Sequence, residues 1–157
     1  MKNNIGLDKN KTAELAKKLN ELLANYSIFY QNTRGSHWYI KGENFFELHD
    51  KFEEIYTDLA TKIDEVAERI ITLGYTPEHN YSTYQGVSKI KESGKESDGR
   101  KNVQMVLDAF KIIISLQRDI LALSADAEDE GTNAKMSDYI REQEKLVWMY
   151  SAYLNKD

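Results

Sequence analysis

Residues 37–68, HWYIKGENFFELHDKFEEIYTDLATKIDEVAE, decide how this chain is read. Apolar residues recur at Phe45, Leu48, Phe52, Ile55, Leu59, Ile63, Val66, Ile70 and Leu73. Spacings of three and four over about eight turns mark one face of a long α-helix. Gly74 supplies a C-terminal stop and Pro77 follows at the expected distance. The same helix carries His49, Glu53, Asp64 and Glu68, and His37 ends the helix before it. At about 100° per residue, the four lie roughly 80–180° from the centre of the apolar stripe, facing away from their own core.

Imidazole and carboxylate together suit first-row metals such as iron, zinc or manganese. Glu53 and Asp64 are eleven positions apart, about 16 Å along a helix axis, whereas metal–ligand bonds are about 2 Å long. One ion cannot join the two ends of this helix. A second copy running antiparallel across a twofold axis can, by setting His49 and Glu53 of one chain against Asp64 and Glu68 of the other. Oligomerisation then becomes part of the chemistry.

The rest of the chain narrows the class. At 157 residues, one domain with a sizeable core is expected. One proline, eight glycines and abundant Leu, Lys, Glu and Ala favour an all-α fold. Without cysteine there is no disulfide framework, thiolate nucleophile or Cys-type zinc site. The opening MKNNIGLDKNK has no apolar leader and no run is long enough to cross a bilayer, so a cytoplasmic protein is expected. A net charge of −5 makes the chain as a whole a poor electrostatic partner for DNA.

Four long helices are predicted. The first runs from Asp8 or Thr12 to Tyr39, with Leu15, Leu19, Leu22, Tyr26, Phe29 and Thr33 on one face; the second covers Asn44–Leu73. The third spans Asp98–Asp129 around Val103, Leu107, Phe110, Ile114 and Leu121, and the fourth starts near Thr132 with Met136, Ile140, Val147, Tyr150 and Leu154 inside. Short turns at Lys41-Gly42 and around Gly131 make helices one and two, and three and four, antiparallel neighbours. Residues 74–97 form the long connection, with a short helix predicted near Tyr84–Lys91. Its 24 residues can reach about 80 Å against a second helix of about 45 Å, so the connection can traverse the bundle and make helices two and three parallel. One long crossover in a four-helix bundle is the ferritin-like arrangement. The Glu-x-x-His pairs that hold di-iron centres inside such bundles are absent, and helices three and four contain no histidine. The core is expected to be apolar, with any metal chemistry outside it.

HWYIKGENFFELH at 37–49, followed by IDEVAERI at 63–70, within this helix order and crossover, resembles the Dps-like mini-ferritins over nearly the whole chain. The resemblance implies a dodecameric hollow shell whose twofold interfaces hold ferroxidase centres shared by two chains. His37 and His49 would come from one subunit, and Asp64 and Glu68 from its partner, with Glu68 anchoring the tightly held iron. Glu53 stands where the family usually has aspartate, on the His49 side. The implied chemistry is oxidation of Fe(II), by hydrogen peroxide in preference to dioxygen, with ferric mineral stored inside and protection against oxidative stress. Trp38 and Trp148 occupy positions where the family also carries aromatics able to donate an electron. In the family, acidic residues near the turn that Gly131 marks here line threefold pores that admit Fe(II); Asp126 and Glu130 are the candidates, although two positions that can be acidic in relatives are Ala125 and Ala134 here.

Read one at a time, the same residues have plainer roles. His37 continues the stripe of helix one and reads as a buried, hydrogen-bonded histidine; His49 reads as a surface histidine. Asp64 and Glu68 read as a solvated acidic pair, His79 as a loop residue, and both tryptophans as packing groups. The cluster Asp126, Glu128, Asp129, Glu130 is an odd helix end, because carboxylates at a C-terminus oppose the helix dipole. The alternative function is DNA binding through a lysine-rich tail. Here residues 1–8 form only a short tail with Lys2 its one base, and Lys9, Lys11, Lys17 and Lys18 fall on the helix among Asp8 and Glu14.

Overall fold

A computed structural model describes residues 1–156. Five helices follow in order: α1 (Lys9–Tyr39), α2 (Phe45–Thr72), α3 (Tyr81–Val87), α4 (Gly99–Asp126) and α5 (Glu130–Tyr153). The architecture is an all-α, ferritin-like four-helix bundle with the short α3 in its crossover.

Each helix starts and stops for a local reason. The carboxylates of Asp8, Asp98 and Asp129 cap α1, α4 and α5 by accepting from backbone N–H groups of the first turn. Helix α2 ends at Gly74, whose φ of 93° allows Gly74 N–H and Tyr75 N–H to bond back to Ile71 and Ile70. The predicted stripe of α2 is buried or half-buried throughout. Helix α1 is covered on all sides from Leu22 to Phe29, because it meets α2, α4 and the crossover at once.

The crossover is fastened along α1 by three asparagines. Asn20 donates to the Thr76 carbonyl and accepts from Glu78 N–H. Buried Asn25 accepts from Ser88 Oγ, Lys89 N–H and Ile90 N–H. Asn32 donates to the Lys91 carbonyl and accepts from Ser93 N–H. Tyr75 Oη donates to the Lys9 carbonyl at the start of α1, and Lys41 N–H donates to Ser97 just past its end. The connection therefore runs the length of α1, which makes α2 and α4 parallel, as its length allowed. Its helix spans Tyr81–Val87 rather than Tyr84–Lys91, since Ser88 leaves the helical conformation and Ser88–Ile90 are committed to Asn25.

Two expectations need correction. The second tight turn lies at Ala127–Asp129, one helical turn before its predicted place, and its left-handed residue is Glu128 (φ 58°). Gly131 lies inside α5, where an added Cβ would sit 2.8 Å from the Arg69 guanidinium. The acidic cluster is thus divided: Asp126 ends α4, while Asp129 and Glu130 open α5, where the dipole favours them. Glu128→Gly is expected to raise stability by about 1 kcal/mol, the cost of a left-handed non-glycine residue, read as a higher denaturation midpoint.

Nor is the core wholly apolar. Tyr26, Gln117 and Gln143 are fully buried and close a ring of hydrogen bonds between α1, α4 and α5. Tyr26 Oη donates to Gln117 Oε1, Gln117 Nε2 to Gln143 Oε1 (2.7 Å), and Gln143 Nε2 back to Tyr26 Oη (2.8 Å). Burial pushes the Tyr26 hydroxyl far above its ordinary range, so it remains a donor. Tyr26→Phe is expected to cost about 1–3 kcal/mol for each of the two glutamine groups left unpaired. The denaturation midpoint should fall while helical content is unchanged. Between α2 and α5, buried Lys62 donates to Asp58 (2.7 Å) and Glu142 (2.9 Å) over the Tyr139 ring. The Tyr139 hydroxyl, donating at 2.6 Å, holds the Glu65 carboxyl below its usual value.

Candidate metal centre

The short turn between α1 and α2 folds His37 against His49. Their rings stack at 3.7 Å between centroids and 15° between planes. His37 Nδ1 bonds the His49 carbonyl at 2.7 Å, and His49 Nδ1 bonds the His37 carbonyl at 2.8 Å. A carbonyl oxygen only accepts, so each Nδ1 carries a hydrogen, and Nε2 is the ring nitrogen left to coordinate a metal. This reciprocal lock is the outer-shell arrangement that orients metal-ligating imidazoles. His37 is buried, as its stripe position predicts, and His49 is half-buried.

Glu53, one turn along α2 from His49, brings Oε1 to 3.7 Å from His37 Nε2. One imidazole nitrogen, His37 Nε2, thus stands beside an exposed carboxylate, with the His49 ring stacked on that of His37. Asp64 and Glu68 are exposed on the same helix, three to four turns away. Among the described residues, no three His, Cys, Asp or Glu side chains of the single chain are grouped to hold a metal ion. The chemistry of this donor set fits a borderline-to-hard cation such as iron, but each half of α2 offers only part of a coordination shell.

The family model described as "Ferritin-like domain" matches residues 16–157. A "DNA protection during starvation protein" of Porphyromonas gingivalis is 43% identical, with 96% of this chain and 95% of that protein covered. A crystal structure of a Dps protein from Vibrio cholerae O1, described as a member of a broad superfamily of ferritin-like diiron-carboxylate proteins, has a TM-score of 0.96. It is 58% identical, with 98% of this chain and 96% of that chain covered. This chain belongs to the Dps-like mini-ferritins. A Dps protein from Bacillus brevis, at 30% identity and a TM-score of 0.89, covers 92% of this mini-ferritin and is itself covered over 97% of its chain.

The remaining candidates of this mini-ferritin are dispersed. Trp38 is 56% exposed with the Arg34 guanidinium 4.9 Å over its ring, and Trp148 is 65% exposed on α5. Asp126 pairs with Lys11 at 3.7 Å. It and Glu130 do not share a helix face, because the turn at Ala127–Asp129 separates them; their i,i+4 spacing carries no meaning across it. His79 is an exposed residue of the crossover.

Reading the sequence missed three groups around the histidines. Tyr56 lies edge-on to His37 at 5.4 Å, Tyr30 edge-on to Tyr56 at 5.9 Å, and Phe45 stacks on His49 at 5.1 Å. Spacing held a clue: Tyr56 is seven positions after His49, and Tyr30 seven before His37. Two helical turns put each pair on one face.

Proposed function

We propose that this mini-ferritin is a ferroxidase and iron-storage protein that oxidises Fe(II) at sites completed between two chains. Its assembly is a homo-oligomer with twofold interfaces, as a dodecameric shell would provide. The observation that carries this reading is the reciprocal lock of His37 and His49, which engages both Nδ1 atoms and leaves Nε2 of each ring to coordinate, that of His37 lying 3.7 Å from Glu53 Oε1. Asp64 and Glu68 of a second, antiparallel chain supply the oxygen donors that this half lacks. His37, His49 and Glu53 then bind Fe(II) from one side, and Asp64 and Glu68 from the other, Glu68 holding the tighter iron. Glu53 reaches further than an aspartate, which keeps a carboxylate at the second position.

Two Fe(II) ions at one site can give hydrogen peroxide two electrons together and, with two protons from solvent, break the O–O bond to two waters without releasing hydroxyl radical. The carboxylates favour the ferric product and the imidazoles retain Fe(II). Asp126 and Glu130, both exposed near the α4–α5 turn, are proposed to attract the incoming cation. No helix among the described residues is long and apolar enough to cross a membrane, in keeping with a protein that works in the cytoplasm.

Anaerobic addition of Fe(II), followed by peroxide or air, tests the reading through ferric absorbance. Oxidation by peroxide should outpace both air and a protein-free control and leave soluble ferric cores in a large assembly. Oxidation at the control rate would overturn it. DNA binding is the weaker alternative. Residues 1–8 fold back, with Lys9 N–H on the Met1 carbonyl, Asn3 Nδ2 on the Leu73 carbonyl and Lys11 paired with Asp126, which leaves few free cations for phosphates. DNA retardation that is lost on deleting residues 1–11 would favour that alternative.

A further inference from the structure

Helix α1 packs along α2 and α4, and α5 packs along α4, whereas α2 and α5 stand apart and are joined by polar bridges. At one end the Asn44 amide donates to Tyr153 Oη at 3.1 Å. Toward the other, Lys62 meets Glu142, Tyr139 meets Glu65 and Arg69 meets Asp129. From Asn44 to Lys62, about 27 Å of α2, no hydrogen bond or ion pair crosses to α5 between these bridges among the described residues. A cleft of about 550 Å³ opens there, within the size range of small-molecule sites. We infer that this cleft binds a small organic amine with a flat apolar body, held as its ammonium.

Tyr150 carries the inference. It is only 7% exposed, yet its hydroxyl has no hydrogen-bond partner among the described residues. Buried polar groups are nearly always paired. The fully enclosed side-chain atoms of this protein all are, so the Tyr150 oxygen must reach the open space of the cleft that its ring lines. Burial, and the Glu54 carboxylate on the same cleft, push this hydroxyl up to about 12. The phenol therefore stays neutral, with oxygen lone pairs free to accept from an N–H.

The rest of the lining selects the ligand. Leu48, Ile55, Leu59 and Leu146 make the walls apolar, and Phe110 and Tyr153 add two rings, a surface suited to an aromatic body. Around them Glu47, Glu54 and Asp58 face a single cation, Lys51. Lys51 is held by Glu54 at 3.1 Å and Asp58 by Lys62 at 2.7 Å, while Glu47 is exposed. Three carboxylates against one ammonium favour a cation and oppose an anion. An ammonium that donates to Tyr150 Oη also meets the field of Glu54, the carboxylate that acts on that hydroxyl. Bridges close the cleft at both ends, which suits a compact molecule better than a docking helix about 10–12 Å across.

The test is calorimetric titration of the assembled, iron-free protein with naphthylethylamine, with naphthylethanol and naphthylacetate as controls. The amine is expected to bind saturably and about tenfold more tightly than the alcohol, as a hydrogen bond to a charged group provides, and the anion more weakly than either. Tyr150→Phe removes a hydroxyl that holds nothing within the protein. Its denaturation midpoint should therefore match the native one, while amine affinity falls about tenfold. Leu146→Trp should fill the cleft and abolish binding of amine and alcohol alike. Absence of saturable binding, an amine held no more tightly than the anion, or equal amine affinity in the native, Tyr150→Phe and Leu146→Trp proteins would each overturn the inference. The residues proposed for iron do not line the cleft, so none of these results bears on the ferroxidase reading.

Discussion

Assemblies built from a His37→Ala/His49→Ala chain, or from an Asp64→Ala/Glu68→Ala chain, are each expected to oxidise Fe(II) at the protein-free rate, and co-assembly of the two to restore activity. A twofold interface makes two equivalent sites, each taking imidazoles from one chain and carboxylates from the other. In a mixed pair, one site receives both sets of alanines and the other receives none. Random pairing makes half the interfaces mixed, so about a quarter of all sites are whole and about a quarter of the native rate returns. Sites built within one chain would give no recovery at any mixing ratio. The outcome thus separates shared from private sites with one rate measurement on co-expressed chains. The length of α2 dictates the expectation, since Glu53 and Asp64 stand about 16 Å apart along its axis.

Arg69→Ala is expected to be the most damaging single change to stability, at about 3–5 kcal/mol out of the 5–15 kcal/mol typical of a domain. Arg69 Nη2 donates to Asp129 Oδ1 at 2.6 Å and Nε to Thr132 Oγ1 at 2.9 Å. The Asp129 side chain is 1% exposed and also caps α5 by accepting from Thr132 N–H and Oγ1. Truncating the arginine leaves that carboxylate buried without its cation. Arg69→Lys should recover only part of the loss, because an ammonium cannot reproduce the two-pronged contact. Denaturation midpoints should be compared at one protein concentration, since assembly adds to apparent stability. A fall no larger than that of a surface mutation would show that the clamp contributes little. Arg69 follows Glu68 in sequence, so the clamp also fixes the end of α2 that carries the carboxylate half of the proposed site.

What could be read from the sequence followed periodicity. The stripe from Leu48 to Leu73 predicts the buried face of α2 because spacings of three and four leave no alternative helix face. Gly74 predicts its end because glycine tolerates the left-handed residue that closes a helix. The second turn could not be read the same way, for Glu128 takes the left-handed conformation there and the nearby glycine serves the Arg69 guanidinium instead. Gln117 and Gln143 lie at core spacing but look like surface residues, and only the fold reveals that Tyr26 closes their ring. Likewise, sequence places His37 and His49 near one another across a turn. Their exchange of Nδ1–carbonyl bonds depends on two backbone positions that no side-chain pattern records.

The asparagine fastenings make the crossover a tape of uneven slack. Asn20 to Asn25 advances about 7.5 Å along α1, yet ten residues separate Glu78 from Ser88. The surplus is wound into α3. From Asn25 to Asn32 the advance is about 10 Å, and residues 90–93 cover it nearly taut. Grafting a foreign peptide after exposed His79 should leave the bundle undisturbed, while removing one residue between Ser88 and Ser93 would draw the ends of the molecule out of register.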